Sequence, residues 1–506
     1  MESIRKIPKF GWLALAALLL GIASNYLFFE HDIGINYPVF VALVIASVAF
    51  LHALYEKKLR TEGYVLLSLS LFFAAMVFVR SNELLTVFNV LGSVLLLFLV
   101  AYAHGEKSIT NYCIGNYIAA IFLPLRFISP FIANLHRLFR FRSAEGEKER
   151  DQQIVRGLIM AALATLVFTL LFSSADLVFQ KYVERVFAFD SELLARGMQV
   201  LIVGAFFFGA FCFFFIEAAK SATAVTLKRS LGVIESSILL GALNILFFLF
   251  ILIQFTYLFG GEEHLRAQGL TYADYATRGF FELSMVAILS FLILFGVEKF
   301  IKKEDIHSPL FRWFGTTLVV QVILILTSAF GRLLLYENAY GFTTIRLFSY
   351  AFMIWLAVVL GLLAYHINKG ENEEKFAMRA FMAVVVLLFS MNMLNPDAFI
   401  ARKNIERYYE TGKLDEIYLA SLSDDAVSQT VVLFEENTEI GKSYASYVYH
   451  ERNAPNADWQ SSHFSARKAN NILSGWTNYL NENKDAALPY QNNADPDNSS
   501  TPAMVQ

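Results

Sequence analysis

Cysteine is nearly absent from this chain: Cys113 and Cys212 are the two among 506 residues. Both lie in apolar stretches, which leaves neither a disulfide framework nor a cysteine zinc site. The nine histidines are scattered and form no His-Glu-x-x-His pattern. A Gly-x-Ser-x-Gly nucleophile elbow is missing too. Gly105-Glu106-Lys107-Ser108 shares part of a phosphate-binding loop, but the upstream glycine spacing and a preceding strand are lacking. No recognised catalytic motif supports an enzyme, and no metal or cofactor is expected. The net charge of −3 supplies no overall field that would draw the chain to nucleic acid.

Apolar residues are what the chain has in excess. They make up 56% of it, with 49 Phe and a mean hydropathy of +0.49, a composition that excludes an ordinary soluble enzyme. A bilayer needs roughly 20 apolar residues per helix. Eleven stretches meet that length or approach it: 10–29, 38–55, 64–79, 84–103, 157–179, 198–219, 231–259, 279–297, 311–335, 343–366 and 376–394. The expected fold is therefore all-α, a polytopic transmembrane bundle. The first stretch lacks a small-residue cleavage site and reads as a retained helix.

Lys and Arg cluster in alternate loops, at Lys57-Lys58-Arg60, across 104–156, at Lys220, Lys228 and Arg229, at Lys299, Lys302 and Lys303, and at Lys369, Lys375 and Arg379. The positive-inside rule then places the N-terminus in the cytoplasm and the C-terminus outside, in a cell membrane. Residues 113–133 are apolar but carry Pro124, Arg126 and Pro130; as a span they would invert every later loop, so they are expected at the inner interface. Arg137, Arg140 and Arg142 behind them would meet anionic lipid or solvent. The expected organisation is a four-span region (1–103), a cytoplasmic basic segment (104–156), a seven-span core (157–394), an extracytoplasmic helical domain (395–480) and a disordered tail (481–506). In the helical domain, Asn395-Pro396 reads as N-cap and N1, and Gly412 as a helix stop.

Several polar motifs fall at the outer face in this topology. Thr271-Tyr272-Ala273-Asp274 has the form of a capping box. From it Asp274, Arg278 and Glu282 recur every fourth residue, one cation between two anions on a single helix stripe, with Tyr275 beside them. Arg332, Tyr336 and Glu337 close one span, Arg346 opens the next, and Asn395 and Asp397 end the last. An ionisable group inside a membrane is a functional candidate, and arginine suits bidentate contact with carboxylate or phosphate. Two readings follow: a site for an anionic headgroup or small anion, or a network that locks helix ends. Asp176, Glu217 and Glu235 are further acids near span ends, open to a proton path or to a reading as solvated helix ends. Ala205 and Gly209 form a small-xxx-small pair suited to close helix packing.

The run from Tyr272 to Leu283 resembles the bacterial membrane proteins grouped as domain-of-unknown-function family 4173, with its relative 4153. The resemblance continues at Arg332 to Glu337, Tyr340 to Arg346, Asn395 to Asp397, Asn404 to Arg407, Leu414-Asp415, Tyr418-Leu419, Leu422-Ser423 and Asp425-Ala426. It extends, in less similar form, to Asp458-Trp459 and Ser465 to Arg467. It implies a bacterial source and a membrane location, and no activity. The functional classes in play are a sensor, scaffold or assembly factor with an envelope protein partner, a transporter of a small anion or lipid-linked substrate, and an enzyme acting on an anionic headgroup. Membrane lipids are partners in all three.

Overall fold

In a bilayer each backbone N–H and C=O must be satisfied within its own segment, so long apolar stretches become helices. A computed structural model shows this architecture. It describes residues 9–56, 59–102, 108–135, scattered positions between 157 and 181, and then 191–217, 229–259, 280–302, 304–306, 308–452 and 458–486. Among the described residues every element is helical, apart from one isolated bridge between Leu231 and Ile301. Among the described residues ten helices are long and apolar enough to cross a membrane, or eleven if the bent pair Ile114–Ile121 and Leu123–Leu135 is one span. The ten coincide with ten of the eleven expected spans; most of 157–179 lies outside the described residues.

The chain divides into two compact units. The first comprises Met1–Phe78, Val90–Ala224 and Asp458–Ser461. It holds α1 (Lys9–Phe28), α2 (Asn36–Tyr55), most of α3 (Thr61–Val79) and the later part of α4 (Glu83–Tyr102). α5 (Ile114–Ile121), α6 (Leu123–Leu135) and α7 (Ser191–Cys212) complete it. α5 and α6 bend by 59° at Phe122. Ile118, Ile121, Phe122, Leu125 and Ile128 stay exposed along this bent pair. Arg137, Arg140 and Arg142 lie outside the described residues.

Close backbone packing holds this unit together. A Cβ on Gly21 of α1 would sit 2.5 Å from the Val200 carbonyl oxygen of α7, and one on Gly209 would sit 2.6 Å from that of Phe127 on α6. The small residues let the helices meet, as expected for Gly209. Polar groups add local ties: the Ser70 and Ser93 hydroxyls lie 3.0 Å apart, and Asn25 donates to Gln199 Oε1 at 3.2 Å. Asp176, one of the acids open to a proton path, accepts from the N–H groups of Val178 and Phe179.

The second unit comprises Val79–Asn89, Val225–Ala457 and Ser462–Gln506. Its membrane helices are α8 (Val233–Phe259), α9 (Phe280–Phe300), α10 (Pro309–Tyr340), α11 (Thr344–Lys369) and α12 (Glu373–Leu394). A cap of shorter helices follows: α13 (Pro396–Thr411), α14 (Glu416–Ser421), α15 (Val427–Thr430), α16 (Val432–Glu435), α17 (Glu439–Glu451), α18 (Phe464–Ser474) and α19 (Thr477–Glu482). Gly412 ends α13 at φ 69°, as the sequence indicated. One buried cluster runs from Leu85, Leu347 and Met391 at the membrane-helix ends to Ile400, Ile405, Leu433 and Tyr444 in the cap. The cap is thus continuous with the membrane helices of its own unit. Glu235 accepts from Gly232 N at 2.6 Å and caps the start of α8.

Candidate functional site

The cap is fastened by hydrogen bonds at helix ends, and they begin in the short turn before α4. Asn82 accepts from Leu85 N at 2.8 Å, an N-cap bond that starts the helix. Its amide nitrogen is left to donate to Asp397 Oδ1, also at 2.8 Å. Asp397 stands in the first turn of α13, behind Pro396, and is 2% exposed. Its other oxygen accepts from Ser423 N at 3.1 Å.

Asp425 stands at the centre of the arrangement. Oδ2 accepts from Ser81 N at 2.9 Å, and Oδ1 faces Arg80 Nη1 at 3.4 Å and Asn395 Nδ2 at 3.3 Å. The better bonds of Arg80 go to the Asn392 carbonyl, 3.1 Å from Nε and 2.9 Å from Nη2. That carbonyl lies in the last turn of α12, where the helix leaves it without an internal partner. Asn392 and Asn89 exchange a reciprocal amide pair at 2.7 and 2.9 Å, both fully buried. Burial raises the Asp425 carboxyl above its usual range; the Ser81 N–H and the Arg80 guanidinium oppose this, and the nearby Asp397 charge adds to it.

A second clamp closes the turn between α10 and α11. Gly341 has φ 82°, and a Cβ there would lie 2.7 Å from Asn404 Oδ1, so the position needs glycine for its conformation and its space. Asn404 on α13 accepts from Phe342 N at 2.7 Å and donates to Phe342 O at 3.0 Å. Arg407, one turn on, donates to Asn338 O and Ala339 O. Arg346 donates to Gly341 O and stacks 4.0 Å above the Tyr336 ring. Tyr350 donates to Glu337 at 2.8 Å.

Between the clamps lies a cleft of about 500 Å3. Asn82, Glu83, Thr344, Asp397, Tyr418 and Arg452 are among its walls. Arg452 bonds to Asp424 Oδ1 and to Leu422 O at 2.9 Å. The Tyr418 hydroxyl accepts from Thr344 N at 2.8 Å, and burial raises its pKa, keeping the phenol protonated.

The residues singled out in the sequence fall into four groups. Asn395 and Asp397 belong to the first clamp; Tyr336, Glu337 and Arg346 belong to the second. Arg332 is half-buried on α10, and Glu282 is exposed in the first turn of α9. Tyr272, Asp274, Tyr275 and Arg278 lie outside the described residues, so the ladder of Asp274, Arg278 and Glu282 is not seen as a unit. Asn395 occupies the N-cap position, but at φ 55° and without a capping side-chain bond; its amide donates to Asp425 instead.

Sequence reasoning missed Arg80, Asn82, Asn392 and Arg452 as site residues. A signal existed for Arg80, an arginine in a loop on the side where positive charge is otherwise scarce. The buried facing pair Glu298 and His366, 3.4 Å apart near the C-terminal ends of α9 and α11, also escaped notice. Among the described residues no three His, Cys, Asp or Glu side chains converge on one point.

The helices and polar clamps together define a multi-pass integral membrane protein. Residues 65–433, more than half the chain, match the domain of unknown function DUF4153, and the chain belongs to that family. No curated protein and no solved structure matches it.

Proposed function

We propose that the protein is a sensor or assembly scaffold of the bacterial cell membrane that offers its cap and cleft to an envelope protein. The observation that supports this reading is the first clamp. Arg80, Asp397 and Asp425 spend their hydrogen bonds on helix ends, loop N–H groups and amides. A catalytic base or a carrier site needs charged groups that can change partners during a cycle. Groups held this way suit a rigid platform better.

The charge pattern of the loops supports a cytoplasmic N-terminus and an extracytoplasmic cap. Ten described helices of spanning length together with the span expected at 157–179 are consistent with ends on opposite sides, the basic segment 104–156 lying in the cytoplasm. The resemblance to family 4173 is compatible with the same reading. Tyr340 to Arg346, Asn395 to Asp397 and Asn404 to Arg407, which carry it, sit in or beside the two clamps. An anionic ligand is the less favoured reading, because Arg346 is engaged with Gly341 O and the Tyr336 ring.

Two measurements test the proposal. A single cysteine replacing the exposed Glu436, in a chain freed of its own two, should react with a membrane-impermeant maleimide in intact cells. Reaction only after lysis would reverse the orientation. Native mass spectrometry of the full chain in mild detergent should show no retained small molecule. A bound species released by Arg452→Ala would replace the scaffold reading with a ligand site in the cleft.

A further inference from the structure

A second, smaller cavity of about 90 Å3 lies against the first clamp, beneath α18. Such a space takes a few water-sized groups and is too small for a lipid headgroup. Asp424, Asp425, Asn395, Ser428 and Ser465 contribute oxygen-bearing side chains to its walls, and Arg80 and Lys468 contribute cationic ones. The Ser465 hydroxyl is the telling group: the residue is 5% exposed, and its oxygen has no partner among the described residues. The Asn395 amide oxygen is buried and unpartnered in the same way, its nitrogen being committed to Asp425. Buried polar atoms of this kind ordinarily find a partner.

Charge points to what that partner is. Asp397 and Asp425 are both buried, at 2% and 7% exposure. Neutral donors hold Asp397, and the guanidinium facing Asp425 stands off at 3.4 Å while its shorter bonds go to Asn392 O. Two buried carboxylates are therefore undercompensated, a costly arrangement in a low-dielectric setting. Arg452 and Asp424 balance each other. Lys468 is exposed on a flexible stem. The unpartnered Asn395 and Ser465 oxygens belong to walls that also carry the Asp424 and Asp425 carboxylates, and as acceptors they suit a cation better than an anion.

We propose that this cavity binds a hard metal cation through oxygen ligands, with Asn395, Ser465 and Asp424 as its inner groups and Asp425 as the adjoining charge. Two carboxylates completed by neutral oxygens suit calcium, magnesium or sodium, which take carboxylate, amide and hydroxyl oxygens. The bound ion supplies the positive charge that the first clamp lacks, so the seating of the cap on α12 and α4 depends on it.

Thermal melting of the full chain in detergent tests this at constant ionic strength, with calcium, magnesium or sodium chloride against choline chloride. A metal cation should raise the midpoint in a concentration-dependent way, and choline should not. Ser465→Ala removes an unsatisfied hydroxyl, so without metal it should melt no lower than the wild type while losing much of the metal response. Lys468→Gln removes the competing ammonium and should enlarge that response. The proposal is overturned if no metal cation shifts the midpoint of the wild type or of Lys468→Gln, or if Ser465→Ala responds like the wild type. A midpoint raised by inorganic phosphate instead of a metal would overturn it as well.

Discussion

The two units hold their helices by different means. In the first, backbones approach until a single methyl group would collide, as at Gly21 against Val200 and Gly209 against Phe127. In the second, the decisive contacts are hydrogen bonds between helix ends and short turns, around Arg80, Asn82, Asp397 and Asp425 and again around Gly341, Asn404 and Arg407. The contrast has a physical basis. Lipid offers no hydrophobic gain for bringing apolar helices together, so dispersion between close surfaces must do it. Where the chain leaves the apolar region, helix ends expose N–H and C=O groups that need partners, and polar side chains become the economical fastening.

The sharpest way to break this contrast is at Asp425. Asp425→Ala leaves Ser81 N, Arg80 Nη1 and Asn395 Nδ2 without their acceptor in a buried setting. Removing one partner of a buried pair costs about 3–5 kcal/mol. The cap, residues 396–452, should lose hydrogen-exchange protection while α1 and α7 keep theirs. Uniform loss across both units would show that the polar clamp is not local to the second.

Asp425→Asn separates charge from shape. The folded-state carboxyl is raised above its unfolded value, so its contribution to stability is complete below the unfolded value near 4 and is lost as pH rises through the folded one. The asparagine variant has no such loss. Melting curves between acid and neutral pH should therefore show the gap between the proteins moving in favour of the variant as pH rises. A constant gap would mean that burial of this carboxylate is not what costs stability.

On the packing side, Gly21→Ala places a methyl group 2.5 Å from a backbone oxygen that cannot swing away. Overpacking of this kind costs about 1–3 kcal/mol. Protection should fall in α1 and α7 and stay unchanged in the cap. Gly204 provides the control, since a Cβ there meets Ala17 O at an ordinary 3.6 Å; Gly204→Ala should be close to neutral.

Much of the fold could be read from the sequence, because a run of about 20 apolar residues has one physical solution in a bilayer. Ten spans follow directly from that. The cap was less legible. Within 414–436 the chain breaks at Leu422 and Ser423, where Asp397 takes the Ser423 N–H and Arg452 takes the Leu422 carbonyl. These partners are 26 and 30 positions distant, and no local periodicity reveals them. The site was legible in part for the same reason. Asn395 and Asp397 stand out at a helix start, whereas Asn89 and Asn392 are single amides in apolar helices, and they pair across 303 positions. Arg346 was open to two readings, a contact for an anion or part of a network that locks helix ends. Its bond to Gly341 O and its stacking on Tyr336 place it in the turn.

The smallest effect is expected at the turn between α11 and α12, which bears on whether exposed charges add to either mode of fastening. Arg379 donates to Glu371 at 2.7 Å, and this hydrogen bond holds the Glu371 carboxyl below its ordinary value, with the Arg379 and Lys375 charges assisting. For a depressed carboxyl the sign is opposite to that at Asp425: the contribution is present above the unfolded value and is lost as pH falls through the folded one. Glu371→Gln should accordingly leave the neutral melting midpoint almost unchanged, since surface pairs that are only half-buried contribute little. It should remove only part of the acid-induced drop, and added salt should shrink even that difference. A large loss at neutral pH would mean that this turn is a third clamp, built on charge.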